Sequence, residues 1–524
     1  MQEMLDSFIP AAPVLLVLLG GVVSVALEFI LPRTVRPIAQ ITLSVAVLLG
    51  AACWTVANWL SGYTDFAALG SLAVDGPAWI VWSMLLIFGL MSALLFAERR
   101  ANGGLSAFVA SAAAIPGSQD ERQAVAERRE HTEVFGLLLL AIAGMMIFSA
   151  ANDILTMFVG LEVFSLPLYV MCGLARRRRL LSQEAAMKYF LLGSLSSALF
   201  LYGVALIYGY SSGFGLTNIL LATRFEPQSP YLLVAGLALV CVGVLFKMGA
   251  VPFHNWMPDV YQGAPTPVTA FMAVCTKIAA VFGLTRLLYV GLGALVLDWQ
   301  LILSVIAVAT MFVGAVIGLI QGDVKRLLAY SAVAHAGFLI VGITGAVTTA
   351  NGLAEGRVGS VAGLVFYLAA YGFATLGAFA IVTLVQRSGS EATSFKAWAG
   401  LGRRNPALAF FMTFFLLSMA GIPLTGGFVG KLLVFVSAWQ GGHAWLVGLA
   451  VIASVIAAGF YFKVIWLMFG KEPEDADVEV VPAGIGTNLV IWVGALATLI
   501  LGILPGSFID LVAQAAELLI RPLS

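Results

Sequence analysis

The stretch Gly243–Ala279, GVLFKMGAVPFHNWMPDVYQGAPTPVTAFMAVCTKIA, decides how the rest of the chain is read. It lies in strongly apolar sequence, yet it carries Lys247, His254 and Lys277. Lys247 follows an apolar run that starts near Leu232, and Gly249-Ala250-Val251-Pro252 then interrupts that run. Proline lacks an N–H and clashes with the preceding turn, so a helix breaks here. A second apolar run begins after Pro265 and Pro267 and reaches Lys277 ten residues later. At about 1.5 Å per residue that is about 15 Å, half the hydrocarbon thickness of a bilayer. Lys247, about fifteen residues into its own run, falls at a similar depth. A lysine at a bilayer centre costs roughly 2.5–3.5 kcal/mol on insertion scales, so two of them need a reason. Ionisable groups beside a broken membrane helix mark an ion path.

Composition agrees with a membrane reading. Of 524 residues, 61% are hydrophobic and only 10% charged, and the mean hydropathy is +1.01. The chain is therefore read as an all-α polytopic membrane protein embedded in the lipid bilayer, not as several soluble domains. A formal net charge of zero implies no nucleic-acid partner. Cys53, Cys172, Cys241 and Cys275 all lie in apolar runs without CxxC spacing, and read as small buried hydrophobes rather than metal or cluster ligands. The N-terminal MQEMLDSFIP contains Glu3 and Asp6 and no basic region, so it does not read as a cleaved signal peptide.

Hydropathy predicts about fourteen spanning segments, near 11–31, 38–60, 78–97, 134–151, 153–174, 184–210, 231–256, 265–291, 299–321, 324–346, 358–386, 407–438, 444–469 and 487–505. A short amphipathic tail, 506–524, follows. Two longer connections, Glu98–Glu133 and Lys471–Pro482, are charged and read as solvated loops. Loops after odd-numbered segments hold most of the basic residues, including Arg33, Arg36, Arg99, Arg100, Arg122, Arg128, Arg176 to Arg179, Lys325, Arg326, Arg403 and Arg404. Loops after even-numbered segments hold little beyond Arg224, Arg286 and Arg357. The positive-inside rule then places the odd loops in the cytoplasm and both termini outside.

Segments 4–8 and 9–13 read as two five-helix units. Segment 7 is broken at Gly249–Pro252 beside Lys247, and segment 12 at Gly421-Ile422-Pro423-Leu424-Thr425-Gly426-Gly427 before Lys431. The two units enter the membrane from opposite sides, which is the pattern of an inverted repeat. The chain then divides into an N-terminal three-helix part with its long loop (1–133), the first unit (134–292), the second unit (299–470) and a final part with a loop, last helix and tail (471–524).

Few charges remain at membrane depth: Glu162, Lys188, Lys247, Lys277, Lys431 and Lys463. Glu162 is nine residues beyond Asp153, and His335 ten beyond Lys325, so Glu162, Lys247, Lys277, His335 and Lys431 share roughly one level. Such a row suits lateral proton transfer. Burial disfavours an ammonium and a nearby carboxylate favours it, so Glu162 can control whether Lys247 holds its proton. Arginine does not deprotonate, and none stands at this level. Plainer readings stand beside these. Glu162 also reads as half of a structural ion pair with Lys247 or Lys188. Lys188 and Lys463 lie close enough to segment ends to snorkel. His254 can satisfy carbonyls freed by the break, His335 can be a hydrogen-bonded core histidine, and Glu28 can be a contact with a neighbour.

The run LFKMGAVPFHNWMPDVYQGAPTPVTAF resembles the antiporter-like membrane subunits of proton-pumping NADH:quinone oxidoreductase, respiratory complex I. So do NDILTMFVGLEVFSLPLYVM, AAMKYFLLGSLSSALFLYG, DVKRLLAYSAVAHAGFLIVGI and GIPLTGGFVGKL, in family order over segments 4–13. PDVYQGAPTPV and the TKIA lysine, Lys277, are most similar to the N type. The resemblance implies a fourteen-helix fold with half-channels at segments 7 and 12. It implies that Glu162 tunes Lys247, that Lys188 matches a segment-6 lysine, that Lys277 bridges the units and that Lys431 stands at the exit, with His254 and His335 along the path. It implies no cofactor in this subunit, with NAD, FMN, iron–sulfur clusters and quinone in partner subunits. It also implies M-type and K-type neighbours and a bacterial plasma membrane. The long Glu98–Glu133 loop departs from compact family members. The competing readings are a subunit of a multi-subunit sodium/proton antiporter and a membrane scaffold.

Overall fold

Inside a bilayer the backbone has no water to bond, so long apolar runs can satisfy their N–H and C=O groups only as helices. The computed structural model follows this rule and describes residues 6–519 apart from 112–113, 116–117, 128, 226–230, 346, 349–353 and 356. Glu3 and Arg128, used above, lie outside the described residues, as does the side chain of Arg357. Among the described residues, 12 helices are long and apolar enough to cross a membrane, and Val134–Ala150 and Pro406–Ala420 are shorter apolar helices. Segment 8 (Thr266–Gly291) is buried along its length, and segments 10 (Val324–Ile343) and 11 (Gly359–Val382) are nearly so. Ile9–Ile30, Arg36–Leu60, Ala444–Gly470 and Ile485–Ile503 form the outside and expose Leu19, Trp54, Trp466 and Trp492. An apolar exterior of this kind suits lipid or a neighbouring membrane chain.

The two breaks are built alike. In segment 7 the helix Tyr231–Met248 stops at Gly249, whose φ is 73°, and helix resumes at Trp256–Gly263. In segment 12 the helix Pro406–Ala420 stops at Gly421, whose φ is 83°, and helix resumes at Gly426–Gln440. Each stop uses a left-handed glycine and the same return bond: Ala250 N–H donates to the Leu245 carbonyl at 2.9 Å, and Ile422 N–H to that of Leu417 at 3.0 Å. Within the expected span 231–256 the helix ends at Met248, where the break at Gly249–Pro252 was expected. Segment 8 contains two wide π-type turns, Met272–Thr276 and Leu287–Gly291, which periodicity alone did not foreshadow.

Segments 4 and 5 meet through glycines. A Cβ on Gly144 would lie 2.5 Å from the Phe164 nitrogen, and one on Gly160 2.8 Å from that of Phe148. Segments 9 and 10 repeat the arrangement, with 2.5 Å from Gly314 to the Ala334 nitrogen and 2.8 Å from Gly337 to that of Met311. The second helix of each pair is capped by aspartate: Asp153 accepts from Thr156 N–H at 2.6 Å, and Asp323 from Arg326 N–H at 3.1 Å.

Several loop readings are corrected. Glu98–Glu133 is not simply solvated. Phe108 and Val109 are buried, Val109 N–H donates to the Leu174 carbonyl at 2.8 Å, and Gln119–Ala126 is helical. Within Lys471–Pro482, Val478–Val480 pairs antiparallel with Val385–Arg387, which also pairs with Ser390–Glu391. Segment 6 begins at Arg179, so Arg179 is buried in a helix rather than free in a loop. Arg286 likewise belongs to the helix Lys277–Arg286.

Backbone contact at Gly144 leaves no room for a side chain. Gly144→Val should cost about 1–3 kcal/mol or more through overpacking and lower both membrane yield and melting temperature. Gly209→Val, where no atom lies within 4 Å of the added Cβ, is the control and should match the parent protein.

Candidate functional site

The breaks place carbonyl groups at membrane depth with no helical partner, and lysines fill the gap. Lys431 Nζ donates to the Ala420 carbonyl at 2.9 Å, the last residue before the segment 12 break, and to Ser454 Oγ at 2.9 Å. Lys277 Nζ donates to the Ala332 carbonyl of segment 10 at 2.6 Å and reaches the Met248 carbonyl, the last residue before the segment 7 break, at 3.5 Å. Both lysines are buried. Lys277 follows directly on the wide turn Met272–Thr276.

Lys247 is 2% exposed and occupies an aromatic cage. Its Nζ donates to the Tyr169 hydroxyl at 3.1 Å and stands 5.0 to 5.7 Å from the ring centres of Tyr169, Tyr189, Phe164 and Phe246. Glu162 makes no ion pair with Lys247 or Lys188 among the described residues, so the reading as a satisfied structural pair is corrected. One oxygen, Oε1, is buried without a hydrogen-bond partner.

The Tyr371 ring lies 4.9 Å from the His335 ring and 5.7 Å from Lys277 Nζ. His335 Nδ1 is hydrogen-bonded to the Tyr367 hydroxyl at 2.6 Å and its Nε2 to the Tyr461 hydroxyl at 3.1 Å. Tyr461 is also bonded to Ser331. Beside His335 is a cavity of about 10 Å³, lined in part by Tyr371, Ser418 and Gly427, which is about the space one water needs. Phe338 bridges onward, its ring 6.0 Å from His335 and 5.0 Å from Lys431 Nζ. A neutral imidazole and a tyrosine hydroxyl each accept and donate, so this cluster has the parts a proton relay needs.

The other candidates sit apart. Lys188 is paired with Glu184 and with Asp259, each at 2.7 Å, and is 41% exposed. Asp259 also binds Arg326 at 2.8 Å, so Lys188 belongs to a charged network outside the deep row. His254 is half-buried in the segment 7 break. Lys463 is exposed and donates to the Leu319 carbonyl at 2.8 Å, at the end of a neighbouring helix. Glu28 is a contact with neighbours: it accepts from Gln40 at 2.7 Å and from Thr132 at 2.5 Å.

Two buried groups escaped the sequence reading. Arg286 forms a two-pronged pair with Asp75 at 2.9 and 2.7 Å, and Asp75 also caps segment 3 and accepts from Leu519 N–H. Lys325, expected in a loop, is 1% exposed and donates to the Ala264 carbonyl at 2.9 Å and Thr266 Oγ1 at 3.0 Å. Distance from the segment centre hid both, since each stands near a helix end. The tyrosines around His335 were also missed, because a tyrosine in an apolar run carries no charge to mark it.

Residues 151–457 match the family model described as "NADH:quinone oxidoreductase/Mrp antiporter, TM". Among curated relatives, the NADH-quinone oxidoreductase subunit N of Cutibacterium acnes is 51% identical over 512 residues, covering 97% of this chain and 95% of its own. That of a Nocardioides species is 52% identical over 517 residues, covering 96% and 97%. A chain of respiratory complex I from Thermus thermophilus superposes with a TM-score of 0.75 at 30% identity, over 96% of this chain and 99% of its own. A chain of the Mrp complex from a Dietzia species has the same fold, with a TM-score of 0.77 at 20% identity, over 97% of each.

The Asp75–Arg286 pair gives a stability test. Arg286→Met strands a buried carboxylate and should cost about 3–5 kcal/mol, read as lost protein in membranes. Asp75→Asn combined with Arg286→Met should recover much of that loss. Equal yield from the single variant and the parent would show that the pair contributes little.

Proposed function

Because this chain belongs to the NADH-quinone oxidoreductase subunit N family, we propose that it moves protons across the membrane through a row of Glu162, Lys247, Lys277, His335 and Lys431, driven by quinone reduction in other subunits. Lys188 and His254 serve on the approach to Lys247. The subunit carries no redox group in this reading, and NAD, FMN, iron–sulfur clusters and quinone belong to its partners, among them M-type and K-type membrane neighbours. The single observation that carries the reading is Lys277. Its Nζ reaches the carbonyl at the segment 7 break and a carbonyl one turn before His335, so one ammonium touches both groups of helices.

In the same reading the chain crosses a bacterial plasma membrane fourteen times, as an inverted repeat of 134–292 and 299–470 flanked by 1–133 and 471–524. The matched glycine contacts, aspartate caps and helix breaks support the repeat. Basic residues on alternate loops support a topology with both termini outside. The likeness to the Mrp chain, at 20% identity, speaks for the shared fold alone. An independent sodium/proton antiporter would exchange ions without NADH.

The relay makes ordered predictions for NADH-driven proton movement in membrane vesicles, normalised to assembled complex. Lys277→Met should reduce it by about 10²-fold or to background, the scale of a lost proton-transfer group. Lys277→Arg should fail as well, because a guanidinium does not unload its proton. Glu162→Gln should impair transport with assembly intact, and His335→Gln should be milder, since water substitutes at a histidine. If Lys277→Arg pumps like the parent, Lys277 supplies positive charge only and is not a shuttle.

Topology has its own check. In a background without the exposed Cys53, an Arg178→Cys probe should react with impermeant thiol reagents in inverted vesicles and not in intact cells. Labelling from outside the cell would reverse the orientation.

A further inference from the structure

Five stretches converge over one end of segment 8: Asn102–Ala107 of the long loop, Arg176–Arg178, Gln262–Pro265, the start of segment 10 at Lys325, and the hairpin Gly389–Glu391. They enclose a cavity of about 60 Å³. A water needs about 10–15 Å³ by this measure, so about four fit. The lining is mixed, and Asn102, Ser106, Gln262 and Ser390 contribute polar groups to its walls. At its floor Glu391 Oε2 accepts from Thr266 Oγ1 at 2.5 Å and lies 3.5 Å from Lys325 Nζ. Lys325 is buried, whereas Glu391 is 24% exposed, and both line the cavity.

A partly exposed carboxylate in a small cavity with room for water, next to a buried lysine on a helix that leads inward, is a way to collect protons. Lys325 stands ten residues before His335 on segment 10, about 15 Å along the helix. Thr266, the shared partner of Lys325 and Glu391, opens the helix that leads to Lys277. Thr266 and Thr269 lie one turn apart on this helix, and Thr276 stands directly before Lys277 at the end of the wide turn. Among the surrounding charges, Arg176 also lines the cavity and donates through Nε to the Ser106 carbonyl at 2.7 Å. Arg178 donates to the Glu391 backbone carbonyl at 2.7 Å and Arg177 to that of Ser388 at 3.4 Å, so both hold the hairpin. Asp323 accepts from Thr393 at 2.5 Å, and Arg326 is held by Asp259.

We propose that this cavity is the vestibule through which protons enter the deep row from the face that carries the basic loops, with Glu391 as the collecting carboxylate and Lys325 as the first internal carrier. The inference rests on the proton-transfer reading above. It also gives the long Glu98–Glu133 connection a role, because that connection supplies one wall of the vestibule.

The test uses the assembled complex in inverted vesicles, with NADH-driven proton uptake measured from mildly acid to mildly alkaline medium. Glu391→Gln should slow uptake severalfold, and the loss should grow as the medium becomes alkaline and protons scarcer. Glu391→Asp should restore most of the rate. Uptake by Glu391→Gln equal to the parent at every pH overturns the proposal. So does a loss that is independent of pH and unrescued by aspartate, which would make the pair a structural latch. Should Glu391→Gln fail to assemble, Ser390→Cys without Cys53 serves instead. Its modification by a bulky charged thiol reagent should slow uptake relative to the unmodified variant, and unchanged uptake after full modification overturns the vestibule. Lys277→Met is run alongside. Normal uptake there removes the deep row itself, whereas a block there with normal Glu391→Gln removes only this entrance.

Discussion

A helix that stops inside a membrane leaves carbonyls that neither water nor the next turn can satisfy. Two buried lysines of this protein answer that problem. Met248 and Ala420 are the last residues of two such helices, and a lysine side chain comes to each. The ammonium gains a dipole to rest against, and the carbonyl gains a donor. Neither would be stable at that depth alone. The aromatic shell around Lys247 is a variant of the same solution, in which ring faces stand where carbonyls do elsewhere.

That economy explains why the surrounding helices are packed so differently from the outer ones. Segment 8 is buried on every side because it must hold Lys277 against partners on two other segments at once. Its wide turn at Met272–Thr276, just before the lysine, changes the phase of the helix there. The glycine contacts of segments 4 with 5 and 9 with 10 bring backbones close enough to fix those helices. Hydrogen bonds such as those of Lys277 to Ala332 and Lys431 to Ala420 tolerate little play, so tight packing and polar chemistry are one requirement.

Much of this was legible in the residues. Proline and glycine marked both breaks, and lysines in apolar runs marked the deep row, because each violates a rule that the neighbouring sequence obeys. The partners were not legible. Nothing local in the sequence says that Lys277 meets Ala332, or that Tyr461 rather than a carboxylate faces His335. Glu162 illustrates the limit: its depth was readable, but not that its Oε1 would be left without a hydrogen bond. Near helix ends the charge signal fails altogether. Lys325 and Arg286 look like ordinary loop cations until tertiary contacts bury them.

Asp75 has a further meaning when the chain is considered in time rather than in space. It caps its own helix at once, but Arg286 is 211 residues later and Leu519 is 444 residues later. A nascent chain emerges from its N-terminus, so the carboxylate waits through 211 further residues before its cation exists. Only insertion of segment 8 neutralises it, and only the last part of the chain closes over it. A prematurely terminated chain would therefore carry an open acidic site at this position, and its maturation would be written into a single carboxylate that counts the arrivals.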